Sequence, residues 1–175
     1  MSPAALTLVL GGARSGKSAV AERIAASFPA PVTYVATMCV GEDRDLAARV
    51  AAHQARRPVG WATVETGRDL AATLSRLPGT ALVDSLGPWV AARLGDGADV
   101  DAETLCGILR ARPGATVVVS EEVGSGVHPP SSAGREFRDE LGRVNQAVAA
   151  VADEVLLVVA GRVLPLASWP GPDSP

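Results

Sequence analysis

The chain has 175 residues, of which 47% are hydrophobic and 20% are charged, with a formal net charge of −3. That length buries one sizeable core, so we predict a single domain over residues 1–166. The weakly acidic balance argues against a nucleic-acid partner, and no apolar run approaches the ~20 residues that cross a bilayer, so no membrane insertion is expected. Cys39 and Cys106 are far apart, and no leader-like segment precedes the first apolar run, which leads us to expect a reducing, cytoplasmic location.

Short aliphatic runs alternate with segments of helical composition. The runs are apolar at consecutive positions, which is typical of strands covered on both faces of a parallel sheet. Ala160 and Gly161, followed by Val163 and Leu164, predict a hairpin with a final antiparallel edge strand, and the Pro- and Gly-rich residues 167–175 predict a disordered tail. The predicted strands are 6–10, 32–36, 81–84, 116–120 and 154–159, and the predicted helices are 17–26, 43–56, 90–94, 102–109 and 134–152.

A glycine-rich segment lies between the first strand and the first helix. It has the P-loop pattern in the strand–loop–helix context that phosphate binding requires. The glycines let backbone N–H groups approach phosphate oxygens, and the helix N-terminus adds partial positive charge. We therefore predict an α/β P-loop NTPase-type three-layer fold, and the Lys-Ser pair disfavours a turn that only connects strand to helix. The segment consists of Gly11, Gly12, Ala13, Arg14, Ser15, Gly16, Lys17 and Ser18.

Three side chains are predicted to complete a triphosphate and Mg²⁺ site. Lys17 is expected to reach the β- and γ-phosphates, and the Ser18 hydroxyl to bind the metal. A P-loop enzyme also needs an acidic residue at the end of a neighbouring strand, and Asp84 closes such a strand. The alternative for Asp84 is a solvated residue that begins a turn.

His53 is one of only two histidines, and it is followed by Arg56 and Arg57. Two nearby guanidinium groups favour the neutral, nucleophilic imidazole and also bind phosphates. His53 is therefore a candidate for a covalent nucleotidyl-histidine intermediate. The alternative is a surface histidine on a basic helix, and these residues alone leave both interpretations open. The other histidine, His128, precedes two prolines and is interpreted as a loop residue.

Several separate blocks, in order from Thr7 to Leu166, resemble the bifunctional adenosylcobinamide kinase/adenosylcobinamide-phosphate guanylyltransferase family of cobalamin synthesis. The resemblance implies phosphorylation of adenosylcobinamide with GTP or ATP, followed by transfer of GMP from GTP through a guanylylated histidine to give adenosylcobinamide-GDP. It also implies a homotrimer. The blocks are Gly-Gly-Ala-Arg-Ser-Gly-Lys-Ser at the P-loop, residues 34–37, residues 48–58, Trp61 with Glu65, residues 122–126, residues 137–146 and residues 152–155.

The resemblance also implies roles for individual residues. His53 matches the position that carries the guanylyl group, and Lys17 belongs to the phosphate loop. Further nucleotide-binding positions implied by the match are Ala36, Thr37, Met38, Gln54, Ala55, Arg56, Arg57, Glu65 and Asp84.

Glu122 lies in the loop after the strand 116–120. It is a candidate general base for the substrate hydroxyl or a metal-orienting group. The alternative is a loop carboxylate without a catalytic role. Gly124 and Gly126 are expected to provide turns with positive φ.

The chain departs from the family pattern at three positions. Gly87 stands where family members commonly carry Thr, and Glu121 stands where they often carry Asn. Both departures weaken the expectation of kinase activity more than the expectation of guanylyl transfer. Some homologues have a second, adjacent histidine, but Ala52 occupies that position here, so His53 has no substitute nucleophile. Two further hypotheses are a P-loop small-molecule kinase without guanylyltransferase activity and a non-catalytic GTP-binding regulatory module.

Overall fold

The computed structural model describes residues 6–38 and 60–168. Within these residues the strands are β1 (Leu6–Gly11), β2 (Val32–Ala36), β3 (Ala62–Glu65), β4 (Thr80–Asp84), β5 (Thr116–Glu121), β6 (Glu154–Val159) and β7 (Arg162–Pro165). The helices are α1 (Lys17–Ala26), α2 (Leu70–Arg76), α3 (Leu86–Gly95), α4 (Ala102–Ala111) and α5 (Ser132–Val151). None of these helices is both long and apolar enough to cross a membrane.

The described strands form one sheet in the order β3-β2-β4-β5-β1-β6-β7. All neighbouring strands run parallel except β6 and β7, which are antiparallel. The strand that precedes the glycine-rich loop, β1, lies between β5 and β6 near the middle of the sheet. The carboxyl ends of all the parallel strands therefore open onto the edge from which the loop emerges.

The side chains of each central strand alternate between two cores, which gives three layers. On one face, Val9 and Val119 pack with Val20 and Ala25 of α1. On the other face lie the remaining described helices. The buried residues of that second core include Leu8, Val83, Val118, Leu74, Leu86, Trp89, Leu105, Cys106, Leu141, Val144 and Val148.

Local sequence sets where the longer helices of this second core begin. α5 begins at Ser131, whose hydroxyl accepts a hydrogen bond from the Gly134 N–H at 3.1 Å. α4 begins at Asp101, whose carboxylate accepts from the Thr104 N–H at 2.9 Å. The hydrogen bonds from Thr104 hold the pKa of the Asp101 carboxyl below its usual value. Both caps satisfy amide groups that the helix itself leaves unpaired.

Arg112, at the end of α4, joins three segments on the far side of the sheet from the loop. Its guanidinium donates to the carbonyl oxygens of Leu74, Leu77 and Gly79 at 2.5, 3.0 and 2.8 Å. It also donates to the Thr116 hydroxyl at 3.0 Å. Burial lowers the pKa of this guanidinium from its usual value.

The predicted α/β fold with a C-terminal antiparallel edge strand is confirmed. The bounds of α1, β2 and β6 agree with the sequence prediction, and the hairpin turns through Ala160 and Gly161, which both have positive φ. Two elements, β3 and α2, were not predicted. The predicted helix over 43–56 and most of the predicted tail lie outside the described residues.

Candidate functional site

The glycine-rich loop begins at Gly11, the last residue of β1, between the strands β5 and β6. Gly11 pairs with Glu121 of β5 and with Val158 of β6. A Cβ atom at Gly11 would lie 2.4 Å from the Ser15 Oγ and 2.8 Å from the Val158 carbonyl oxygen. Only glycine fits where the main chain approaches a neighbouring strand this closely.

The second glycine that the P-loop pattern requires, Gly16, directly precedes α1 and has the left-handed conformation, with φ 93°. Gly16 has no side chain to cap this end of α1, and the first turn carries no acidic residue. The Lys17 N–H donates a long hydrogen bond to the Ser15 hydroxyl at 3.4 Å. The start of the helix therefore offers partial positive charge to an anion. Ser15 is buried, whereas Ala13 and Arg14 are exposed at the top of the loop.

The hairpin between β6 and β7 supports the loop from behind. The Gly161 N–H donates to the Ser15 carbonyl oxygen at 2.8 Å, and Gly161 is also the nearest neighbour of a Cβ placed at Gly16. This hydrogen bond holds the Ser15 carbonyl group against the hairpin. The sequence predicted the hairpin but not its contact with the loop.

Lys17 lies mostly buried beneath the loop, with 12% of its side chain exposed. Its ammonium donates to the Gly12 carbonyl oxygen at 3.4 Å and lies 3.7 Å from the Oε1 of Glu121. The ammonium therefore lies between the loop and the end of β5. In P-loop NTPases the lysine of this loop contacts the β- and γ-phosphates of the nucleotide.

Ser18 and Asp84, the two residues predicted to hold the metal, lie side by side. The Ser18 hydroxyl donates to the Asp84 Oδ1 at 3.4 Å, and the other carboxylate oxygen accepts from the Tyr34 hydroxyl at 2.8 Å. No group of three or more His, Cys, Asp or Glu within residues 6–38 and 60–168 is arranged to hold a metal ion. Mg²⁺ at a nucleotide takes one or two protein ligands together with phosphate oxygens and water, so this pair suits it.

Three of the predicted nucleotide-binding residues end adjacent strands at the same level. Ala36 of β2 pairs with Glu65 of β3 on one side and with Asp84 of β4 on the other. Glu65 is exposed, whereas the Asp84 carboxylate is partly covered. The parallel register thus aligns these positions along one edge of the sheet.

Thr37 and Met38 continue β2 beyond this edge. The buried Thr37 hydroxyl donates to the Ser85 carbonyl oxygen at 2.5 Å and accepts from the Ser85 N–H at 3.1 Å. It thereby joins the ends of β2 and β4. Met38 is exposed at the surface.

Glu122 begins the loop after β5. Its two carboxylate oxygens accept from the N–H groups of Gly124 and Ser125 at 3.0 and 3.3 Å. These bonds close a turn within the loop. Such bonds are equally expected of a loop carboxylate without a catalytic role, so they do not distinguish the two interpretations of Glu122. The expectation of positive φ at Gly124 and Gly126 is wrong, because the described glycines with positive φ do not include them. The turn is closed by hydrogen bonds to the Glu122 carboxylate, without positive φ at either glycine.

Glu121 is the site residue whose contacts the sequence did not reveal. It ends β5 rather than lying in the following loop, and its carboxylate contacts Lys17. Asn145 of α5 donates to the Glu121 carbonyl oxygen at 3.1 Å and accepts from the Ser120 hydroxyl at 2.6 Å. The only sequence signal was its departure from the family pattern.

The predicted guanylylation site and the GTP-binding residues after it lie outside the described residues. They are His53, Gln54, Ala55, Arg56 and Arg57.

The fold and the loop together define a P-loop nucleotide-binding protein. An ATPase from the type III secretion system of pathogenic bacteria has a similar fold, with a TM-score of 0.54 at 16% identity over 87% of this chain and 50% of that chain. The ATPase EscN from enteropathogenic E. coli gives a TM-score of 0.56 at 16% identity over 90% of this chain and 43% of that chain. The chain spans about half the length of these ATPase chains or less, and the likeness shows the fold alone.

The sequence places the chain in one family of this class. Residues 7–166 match the family described as cobinamide kinase / cobinamide phosphate guanyltransferase, and the chain belongs to that family. A Pseudomonas aeruginosa protein named bifunctional adenosylcobalamin biosynthesis protein CobP is 41% identical over 170 residues, which is 93% of this chain and 98% of the relative. The Salmonella typhimurium protein named bifunctional adenosylcobalamin biosynthesis protein CobU is 38% identical over 176 residues, which is 89% of this chain and 96% of the relative.

Proposed function

We propose that this chain phosphorylates adenosylcobinamide with GTP or ATP and then transfers GMP from GTP to the new phosphate, giving adenosylcobinamide-GDP. The observation that carries the proposal is the P-loop sequence Gly11–Ser18, placed between β1 and the start of α1, on a chain of this family. One loop serves both reactions, because each requires a bound triphosphate. The reactions differ in which phosphorus atom is attacked.

In the first reaction the substrate hydroxyl oxygen attacks the γ-phosphorus, and the bond to the β–γ bridging oxygen breaks to release the nucleoside diphosphate. Lys17 and the N–H groups at the start of α1 stabilise the negative charge on the phosphates. Glu122 is the proposed acceptor of the hydroxyl proton. Each of its two carboxylate oxygens already accepts a hydrogen bond from an N–H group, so this role requires one oxygen to be released.

Ser18 and Asp84 are the proposed holders of Mg²⁺, supported by their mutual contact. Bound there, the ion would neutralise charge on the phosphate oxygens. Tyr34 orients the Asp84 carboxylate through its hydroxyl. The residues Ala36, Thr37, Met38 and Glu65 are proposed to lie along the nucleotide, supported by the alignment of their strand ends.

In the second reaction a neutral ring nitrogen of His53 attacks the α-phosphorus of GTP, and pyrophosphate leaves. A phosphate oxygen of adenosylcobinamide phosphate then attacks the same phosphorus, and the phosphorus–nitrogen bond breaks. Gln54, Ala55, Arg56 and Arg57 are proposed to bind GTP beside His53, where the guanidinium groups would neutralise the developing charge.

The test is labelling of the protein with α-labelled GTP. We expect a covalent label that is lost in acid and kept in base, as a phosphoramidate requires, and that is absent from the H53A variant. H128A is the matched control, since His128 lies in an exposed loop where it contacts Arg138, and it should keep the label. Label that persists on H53A would refute the assignment.

Two alternative functions give different results in the same preparation. A kinase without guanylyl transfer would move a γ-label to adenosylcobinamide and leave the protein unlabelled by α-labelled GTP. A non-catalytic nucleotide-binding module would bind GTP and release neither pyrophosphate nor a phosphorylated corrinoid.

A homotrimer in the cytoplasm is also proposed, on the family resemblance. The edge of the sheet supports a subunit contact, because the strand β7 and its flanks leave four large apolar side chains exposed. Light scattering in solution would measure the assembly, and a monomer at micromolar concentration would contradict it. These side chains are Val159, Val163, Leu164 and Leu166.

A further inference from the structure

Two of the positions at which the chain departs from the family pattern meet in space. The Glu121 Oε2 accepts a hydrogen bond from the Gly87 N–H at 3.0 Å, and its Oε1 accepts from the Ser85 hydroxyl at 2.7 Å. The same Oε1 lies 3.7 Å from the Lys17 ammonium. One carboxylate therefore connects the first turn of α3 to the lysine of the phosphate loop.

Gly87 makes room for this carboxylate. A Cβ atom at position 87 would lie 2.2 Å from the Glu121 Oε2 and 3.0 Å from its Cδ. Any side chain larger than hydrogen would push the carboxylate out of its position, away from Ser85 and Lys17. The position of the Glu121 carboxylate thus depends on Gly87, because the carboxylate fills the space that a side chain at position 87 would occupy.

The contacts fix the position of the Glu121 carboxylate. It accepts from a hydroxyl and from an N–H group in the first turn of a helix, and these two bonds place it beside the Lys17 ammonium. Its negative charge therefore acts on Lys17, the group that a P-loop uses for the outer phosphates of the nucleotide.

We propose that Glu121, accommodated by Gly87, is a positioning residue that holds the Lys17 ammonium when no nucleotide is bound and competes with the terminal phosphate for it. This inference rests on the proposed nucleotide binding at the loop. The competition penalises triphosphates more than diphosphates, because Lys17 reaches two phosphates of a triphosphate but only one of a diphosphate, and the γ-phosphate adds negative charge that would face the carboxylate. Glu121 thereby sets the preference between substrate and product nucleotides.

The variant E121Q isolates the charge. A glutamine amide can accept from the Gly87 N–H and donate to the Ser85 hydroxyl, so both hydrogen bonds persist without the negative charge. The probes are α,β-methylene GTP and α,β-methylene GDP, which cannot transfer a guanylyl group, and the measurement is titration calorimetry with Mg²⁺. We expect E121Q to bind the triphosphate about twofold to fivefold more tightly, which corresponds to the upper part of the range for one solvent-accessible ion pair. Diphosphate affinity should change less than about twofold.

A second pair of variants tests the dependence on Gly87. G87A should displace the carboxylate and shift the triphosphate-to-diphosphate ratio in the same direction as E121Q. In an E121N background, where the side chain is one methylene shorter, G87A should leave that ratio unchanged. G95A is the matched control on the same helix, since a Cβ there meets nothing within 4 Å, and it should alter neither affinity.

The outcomes separate the inference from the function on which it rests. Weaker triphosphate binding by E121Q, or an unchanged ratio, overturns the competition while leaving nucleotide binding intact. Failure of the unmodified protein to bind either probe overturns both proposals. If G87A does not fold, as judged by its thermal transition, the E121Q result alone decides.

Discussion

Replacing Gly11 by alanine tests whether the loop depends on close contact with β6. The added methyl would lie 2.8 Å from the Val158 carbonyl oxygen and 2.4 Å from the Ser15 Oγ. The Ser15 hydroxyl can rotate, but the carbonyl belongs to β6, which is paired on both sides, and can only move with that strand. Overpacking of this kind costs about 2 kcal/mol. For a chain of this size, that corresponds to a fall in melting temperature of about 4–8 °C.

The assay is thermal unfolding followed by circular dichroism, in parallel with titration of a GTP analogue. G12A is the control for stability, because a Cβ at Gly12 meets nothing within 4 Å, and its melting temperature should stay near that of the unmodified protein. G11A should also bind the nucleotide at least about tenfold more weakly, since displaced loop N–H groups lose their charge-assisted hydrogen bonds. A G11A protein that melts within about 1 °C of the unmodified chain would refute this account of the loop.

Three further predictions concern the scaffold. R112K should lower the free energy of unfolding by about 2 kcal/mol in urea titrations, because an ammonium cannot replace the planar fork that reaches three carbonyl oxygens and a hydroxyl. D101A should lower the melting temperature at neutral pH. Hydrogen bonds from Thr104 lower the pKa of the Asp101 carboxyl in the folded state. The carboxylate therefore stabilises the fold above its unfolded-state pKa, and this contribution is lost as the pH falls through the folded-state pKa. The melting temperatures of D101A and of the unmodified protein should therefore converge in acid. In a C39S background the buried Cys106 thiol, whose pKa burial raises, should react slowly with a thiol reagent at neutral pH and rapidly only in denaturant.

The elements that the sequence predicted are those whose own residues determine them. β1 and β5 contain continuous aliphatic runs because both faces of the sheet are covered at these strands. β6 is also a continuous aliphatic run, although only Leu156 and Val158 of this strand are buried. The helix α1 follows a loop whose glycines and Lys-Ser pair fix its first residue. In α5 the buried Leu141, Val144 and Val148 recur at helical spacing.

The elements that were missed depend on their neighbours instead. β3 is a four-residue edge strand with mostly exposed side chains, so it has no apolar pattern and is defined by main-chain pairing with β2. α2 is only seven residues long and offers two buried leucines. Short elements of this kind are stabilised by the surrounding structure rather than by their own propensity.

The same distinction applies to the site. The phosphate loop is local in sequence, so its residues could be predicted together. The contact of Glu121 with Lys17 depends on the pairing of β1 with β5 and on the absence of a side chain at Gly87. β1, Gly87 and β5 are far apart along the chain, so no local pattern reveals the contact. The contact of Gly161 with the loop depends likewise on the pairing of β1 with β6.

The position of β1 determines when the chain can first bind a nucleotide during its synthesis. The ribosome makes Gly11–Ser18 before the two strands that flank β1, at 116–121 and 154–159, and before the Gly161 N–H that supports Ser15. A nascent chain thus carries the entire phosphate-binding sequence before the strands that surround the loop have been made. Nucleotide binding then stabilises only chains that have been translated at least as far as Gly161.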